Sequence, residues 1–377
     1  MKIAILHEML VKLGGAEKVI ESLLRLFPQA DIFTLIYDET KVGSIFSQKS
    51  IHPQCKKLPT QKIYNLTRKQ RLCLPFMARS VESLDFSTYD FVLVSSSGFA
   101  HGLITKPETK TLVYYHAPAR YMWDRTHEHT RDIGLDSGLR GYIYSKLLLR
   151  LRQWDYIASQ RNDILLANSS NTQSRVMKYF RRESEVLYPP VETDRFAKII
   201  PQNTSLPSEI PAEYYIIIST LTEFKRIDIA VSAFRDIKNT SLIVIGDGEY
   251  RGNLEKLASE NTQFVGAKFG DNLVSLVQGS LGLIFPGEED FGIVPIEVMA
   301  AGKPVFALKK GGLLETVIEG KTGAFFNDIE GGDFVEKFNI FHKSNLGGSY
   351  TSENCKQQAQ QFSEAVFHKK IKNYIYS

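Results

Sequence analysis

Short apolar runs recur along the chain, separated by stretches whose apolar residues fall at helical spacing. In the first half, Lys2–Leu6, Asp31–Ile36, Phe91–Ser95, Thr111–Tyr115, Ile164–Ala167 and Glu185–Leu187 read as strands. In the second half, Tyr214–Ser219, Leu242–Ile245, Leu281–Phe285 and Lys303–Ala307 repeat the pattern. Between them, Ala16–Leu26, Arg140–Arg161, Thr172–Phe180, Ile227–Phe234, Leu273–Gln278, Val294–Ala301 and Gln357–Ile375 read as helices. Asn168-Ser169-Ser170 supplies polar caps to one of these, and Gly302 stops another. Strands alternating with helices predict parallel α/β sheets.

Length then divides the pattern. A chain of 377 residues exceeds what one core usually spans, which predicts two domains. Tyr188-Pro189-Pro190 makes a stiff exit from the last strand of the first half, and Ile199–Pro211 reads as a linker. The expected division is residues 1–195, completed by a terminal helix over 357–377, and residues 196–356. A content of 43% hydrophobic and 23% charged residues is ordinary for a globular protein, and a net charge of +4 does not argue for nucleic acid. Cys55, Cys73 and Cys355 have neither metal-ligand nor disulfide spacing, which suits a reducing compartment. No apolar run approaches the roughly 20 residues of a membrane span. Met1–Leu6 is cut short by His7 and Glu8 before it could form a signal peptide. A cytoplasmic protein is expected.

Candidate chemistry concentrates in Phe285–Gly302, an acidic, Gly-bounded loop between a strand and a helix. A helix N-terminus at the carboxyl end of a parallel sheet offers free N–H groups and positive potential, which suits a diphosphate. Glu289 and Glu297 suit hydroxyl groups, since carboxylates accept hydrogen bonds from them. Gly14 and Gly15 open a helix after the first strand, where glycines allow close approach to a ligand or simply a tight turn. His116 directly follows a strand and leads an aromatic, Arg-bearing loop, which favours a functional over a structural role. Thr40–Val81 holds nine Lys and Arg residues and no Asp or Glu, interleaved with Leu66, Leu72, Phe76 and other apolar residues. That mixture suits an anionic membrane surface, a lipid carrier's pyrophosphate, or a solvated face whose apolar positions turn to the core. Single-stranded nucleic acid would also suit it, but nothing else in the chain supports that. Arg140–Arg161 is also basic and reads best as a packing helix.

The string Glu-Glu-Asp-Phe-Gly-Ile-Val-Pro-Ile-Glu, containing Glu289-x7-Glu297, resembles the signature of retaining family-four glycosyltransferases of GT-B fold. Gly14–Glu17, His116–Asp124 and Asn168–Phe196 extend the likeness over nearly the whole chain. It is nearest to mannosyltransferases that build bacterial surface polysaccharides.

The resemblance implies two Rossmann-like domains facing each other across a cleft, the first for acceptor and the second for donor. It implies transfer of a hexose with retention from a nucleoside diphosphate sugar, GDP-mannose being the first choice, to a glycan or lipid-linked glycan. Glu289 would meet the transferred sugar and Glu297 the donor ribose. Lys225 and the helix N-terminus at Val294–Glu297 would stabilise the leaving diphosphate, and His116 would orient a sugar hydroxyl. Gly14 and Gly15 would lie under the phosphates, and the backbone of Phe291, Gly292, Ile293 and Val294 would contact the donor. Gly248 would stand in the donor loop wall and Val265 beside the base. Thr220 stands where the family carries an arginine that clamps the diphosphate, and Arg226 is the neighbouring cation. No Asp-x-Asp motif occurs, so neither a metal ion nor a cofactor beyond the co-substrate is expected. With no span, such an enzyme would bind the inner face of the cytoplasmic membrane reversibly. The competing readings are a GT-B nucleotide-sugar epimerase or phosphorylase, and a weakly active nucleotide-sugar-binding subunit.

Overall fold

The computed structural model describes residues 1–47, 50–198 and 210–376. Lys49 of the basic tract and residues 199–209 of the expected linker lie outside the described residues. The chain forms two compact units, Met1–Tyr188 with His368–Ser377, and Pro189–Phe367.

The first unit is built on a six-stranded parallel sheet ordered β2-β1-β3-β4-β5-β6. Its strands are β1 (Ile3–Leu10), β2 (Asp31–Tyr37), β3 (Phe91–Ser96), β4 (Lys110–Tyr115), β5 (Ile164–Ala167) and β6 (Glu185–Val186). The second unit carries another parallel sheet, ordered β12-β11-β10-β7-β8-β9. Its strands are β7 (Tyr214–Ile218), β8 (Ser241–Ile245), β9 (Thr262–Gly266), β10 (Gly282–Phe285), β11 (Val305–Leu308) and β12 (Gly323–Phe326). Strands such as β3 and β11 are buried at every position, as expected where helices cover both faces of a sheet. In the second unit, Tyr215, Phe306, Phe326 and Phe341 are enclosed in one core, with Phe306 stacked on Phe341 at 5.2 Å.

Each sheet changes winding direction once. In the first, β1 lies between β2 and β3; in the second, β7 lies between β8 and β10. The loops leaving β1 and β3, and those leaving β7 and β10, therefore part to opposite sides. A crevice opens beyond the strand ends at such a switch point, and ligands of open α/β sheets bind there.

The structure departs from the sequence-based expectations in particular places. β1 does not end at Leu6 but runs to Leu10, because the polar side chains of His7 and Glu8 find buried partners. β12 was not anticipated: Gly323 fits it beside β11, where a Cβ would sit 2.0 Å from the Val305 carbonyl oxygen. The terminal helix is two helices, Ser352–Gln360 and Glu364–Tyr376. The break lies where Phe362 is buried: its carbonyl accepts from the Val191 amide at 3.0 Å and its ring meets Phe291 at 5.6 Å. Only the second helix supplies the first unit, through His368 to Ser22 at 2.9 Å and Tyr374 to Glu185 at 2.6 Å. The division falls at Tyr188/Pro189 rather than 195/196, since helix Thr193–Ala197 belongs with the second unit; Gln278 donates to the Phe196 carbonyl at 3.0 Å. The three cysteines are buried and unbridged.

Candidate functional site

At the switch point of the first unit, His7 on β1, Ser95 on β3 and His116 after β4 form a line. His7 Nδ1 lies 2.9 Å from Ser95 Oγ, and Ser95 Oγ lies 2.7 Å from His116 Nε2. On its other side, His7 Nε2 stands 3.6 Å from Glu17 Oε1, and the second Glu17 oxygen accepts from the Gly14 amide at 2.9 Å. Gly14 and Gly15 thus start helix Gly15–Leu26 directly against this line. Burial pushes the Glu17 carboxyl up, but the His7 hydrogen bond and charge, with its own amide and Lys12, hold it below its ordinary value. Burial pushes the half-buried His116 down to about 3; the charge of His7 adds to this and Glu17 opposes it. Next to His7, Glu8 accepts from the amides of Ser97 at 3.1 Å and Phe99 at 2.9 Å, which fixes the turn after β3. A cavity of about 270 Å³ opens here, lined by His7, Glu8, Lys12, the Gly14-Gly15 turn, Glu17 and Ser97.

The loop that begins at His116 is anchored from below. Trp123 donates to Asp155 at 2.7 Å, and Asp155 also stands 3.2 Å from His101. Asp155 lies on helix Gly138–Ser159, whose Leu148, Leu151 and Ala158 are buried, so this helix does pack. It leaves Leu139, Tyr142 and Ile143 exposed.

At the switch point of the second unit, the Lys225 ammonium pairs with the Glu289 carboxylate. Lys225 follows β7 and Glu289 follows β10, so the adjacency of these two strands brings the charges together. Glycines allow the loops to close: a Cβ on Gly287 would lie 2.7 Å from the Lys225 carbonyl oxygen, and one on Gly312 would lie 2.4 Å from that of Asp290. Gly312 N–H also donates to the Glu289 carbonyl at 2.9 Å. Phe291 is buried, and Gly292 takes φ 87° to turn the chain into helix Ile293–Ala300. Ile293 and Val294 are half-buried at the start of that helix, whose first amides have no acceptor within it. A cation, a helix N-terminus and two glycine-lined turns are parts that can hold a diphosphate.

The remaining predicted residues fall as follows. Glu297 lies in the second helical turn, one turn further than expected, and is buried. Thr220 is exposed just past β7. Gly248 packs against the same loop, where a Cβ would lie 2.3 Å from the Leu221 carbonyl oxygen. Val265 occupies a register shift between β8 and β9, a bulge that re-aims its side chain. Arg226 has φ 51° and pairs with Asp228 at 3.4 Å and Glu330 at 3.2 Å. The sequence reading did not single out His7, Ser95 or Glu17 as site residues. The signal was a histidine and a glutamate inside an apolar strand, which calls for buried partners. Among the described residues, no three His, Cys, Asp or Glu side chains gather as a metal site, and no helix is long and apolar enough to cross a membrane.

Residues 204–362 match the family model of glycosyl transferases group 1. The chain is 28% identical over 203 residues to the alpha-1,3/1,6-mannosyltransferase ALG2 of Candida glabrata, a match covering 42% of this chain and 44% of that protein. It is 31% identical over 144 residues to the uncharacterized glycosyltransferase MJ1178 of Methanocaldococcus jannaschii, covering 37% and 41% respectively. The chain thus spans less than half the length of these curated relatives. The structure of HepE from Anabaena in complex with UDP is similar over 100% of both chains, with a TM-score of 0.71 and 17% identity. That likeness is one of fold. By these matches and by its two six-stranded parallel sheets, the chain is similar to glycosyl transferases group 1 over residues 204–362 and has the GT-B fold.

Proposed function

We propose that this protein is a retaining glycosyltransferase that moves a hexosyl group from a nucleoside diphosphate sugar to a glycan hydroxyl. The observation that carries this reading is the Lys225–Glu289 pair at the β7/β10 switch point, beside the N-terminus of helix Ile293–Ala300. Lys225 and the helix end stabilise the departing diphosphate, and Glu289 accepts hydrogen bonds from the transferred sugar. The protein supplies this positive charge itself, which supports a metal-independent reaction. The curated relatives that are named mannosyltransferases support mannose, with GDP-mannose the first donor to test. The acceptor is a lipid-linked glycan of surface polysaccharide biosynthesis, met at the inner face of the cytoplasmic membrane. Exposed Leu66, Leu72 and Phe76 among exposed Lys62, Lys69 and Arg71 support such docking.

The test is product analysis with GDP-mannose and UDP-glucose as donors and a lipid-linked oligosaccharide as acceptor, with and without a chelator. Transfer with the donor's anomeric configuration, unchanged by chelation, is the expected result. An inverted linkage, an epimerised donor, or phosphorolysis would overturn the reading.

A further inference from the structure

Glu8 stands where β1 outruns β3. The pairing of these two strands ends at His7 and Ser95, so on that side Glu8 meets the turn that follows β3. It is only 6% exposed, and a carboxyl group so buried needs partners. One oxygen has them: Oε2 accepts from the amides of Ser97 at 3.1 Å and Phe99 at 2.9 Å. The other oxygen, Oε1, has no hydrogen-bond or ion-pair partner among the described residues, yet it is not sealed from solvent. Glu8 lines the cavity of about 270 Å³ at this end of the sheet. Gly98, between the two donating residues, keeps Oε1 open, since a Cβ there would lie 2.8 Å from it.

The lining favours a neutral ligand. Glu8 and Glu17 bring two carboxyl groups against the single ammonium of Lys12. The helix N-terminus here is already served from within the chain, because Glu17 accepts from the Gly14 amide at 2.9 Å. A diphosphate would be repelled by carboxylates so close. A hydroxyl group both donates and accepts, so it satisfies a carboxyl oxygen without adding charge. The cavity is just smaller than the roughly 300–1,000 Å³ of sites for drug-sized ligands, which suits one sugar ring. We propose that Glu8 Oε1, kept open by Gly98, binds a hydroxyl of a pyranose in this cavity, and that the Gly14-Gly15 turn lies against sugar rather than phosphate. That this sugar is a substrate rests on the transferase reading; that the cavity takes a hydroxyl does not.

Two substitutions test this from different sides. In Glu8→Gln the glutamine carbonyl keeps the Ser97 and Phe99 amides, which turns an NH2 group into the cavity in place of Oε1. Gly98→Ala leaves Glu8 itself unchanged and puts a methyl group against Oε1. The probes are methyl α-mannoside and methyl α-glucoside, read by saturation-transfer NMR on the full-length protein, and GDP and UDP, read by calorimetry. The wild type should bind at least one glycoside. Both variants should weaken that binding about tenfold, the size of one hydrogen bond, with nucleotide affinity unchanged. In turnover, the acceptor KM should rise by the same factor if the hydroxyl belongs to the glycan, and the donor KM if it belongs to the transferred sugar.

No glycoside binding in the wild type, or equal binding in folded Glu8→Gln and Gly98→Ala, overturns the proposal. So does tighter GDP or UDP binding in Glu8→Gln, which would put an anion beside residue 8. If Glu8→Gln fails to fold, Gly98→Ala decides alone. Wild-type protein that binds a glycoside through Glu8 but transfers no sugar fails the functional reading and keeps the pocket. Intact transfer with unchanged acceptor and donor KM in both variants fails the pocket and keeps the functional reading.

Discussion

Lys225 and Glu289 bring opposite charges to one point, yet each remains partly exposed, at 18% and 30%. Exposed pairs add little to stability, about 0–1 kcal/mol. Lys225→Ala and Glu289→Ala should therefore leave the melting temperature nearly unchanged. Each should cost roughly 2–4 kcal/mol of transition-state stabilisation, the usual size for one preorganised electrostatic group. Steady-state kinetics beside thermal melts check both statements; near-wild-type turnover in either variant would remove that residue from the mechanism. Thr220→Arg should tighten donor binding, since Arg binds phosphate in a bidentate way and Thr220 is exposed on the loop that carries Lys225. Calorimetry with GDP and UDP reads that change, and weaker binding would show that the loop already holds the diphosphate differently. His116 makes a prediction about acid. Its folded pKa lies near 3 against an ordinary 6.5, so below 6.5 the unfolded chain takes up a proton that the folded chain refuses. Stability from this residue is thus complete above 6.5 and falls as pH drops towards 3. His52, His129 and His342 are shifted the same way by burial, and Glu17 adds a loss below its ordinary 4.5. Melts across this range should slope downward into acid, and more gently in His116→Asn; an unaltered slope would contradict the account. Lys225 was singled out by the family resemblance alone and Glu289 by its acidic strand–loop–helix turn as well; their pairing came only with the adjacency of β7 and β10. His7 was not legible, because a histidine in an apolar strand reads as the strand's end until its partner on β3, many residues away, is known.

Loops at the carboxyl ends of β7, β10 and β11 are packed backbone to backbone, and this packing positions the second unit's charges. Gly312 has an ordinary φ of −67°, so its requirement is space alone. A methyl group there would meet the Asp290 carbonyl oxygen at 2.4 Å and the Phe291 Cα at 2.5 Å, neither of which is a flexible side-chain end. Gly312→Ala should destabilise by about 1–3 kcal/mol, the usual range for overpacking, and should weaken donor binding by displacing Glu289. Gly252→Ala is the control, since nothing lies within 4 Å of its Cβ position. Equal melting temperatures and equal donor affinity in the two variants would show that the loops do not hold each other. The alternation of elements was legible from period alone, since buried parallel strands write themselves as apolar runs. β12 was not, since Gly-Ala-Phe-Phe is short and begins with a residue poor in strand propensity. Nor was the split of the terminal helix, because only the pull of Phe362 onto Phe291 and Val191 interrupts an otherwise helical stretch. The basic tract divided in a way that periodicity could not foresee. Leu58, Tyr64 and Met77 turned to the core, while Leu66 stayed 87% exposed.

Over the whole molecule, that division leaves a face on the first unit that is both cationic and apolar. Each Lys or Arg near an anionic surface contributes about 1 kcal/mol at most, weakened by salt. Cosedimentation should show binding to anionic liposomes at low salt and release at high salt, and reduced binding on replacing Leu66, Leu72 and Phe76 by Ser. Equal binding to neutral liposomes, or none to either kind, would leave this face solvated. A different consequence follows from residues 368–376 belonging to the first unit. As the chain is made, residues 1–188 emerge early but lack the helix that ties Ser22 to His368 and Glu185 to Tyr374. Domains made first usually fold first. Here the second unit is continuous in sequence and emerges before the piece that completes the first, so the unit begun earliest is finished last. A chain stopped after Phe367 should therefore keep a cooperative melt for the second unit, while the first becomes sensitive to protease and is protected again by adding a peptide of residues 368–377.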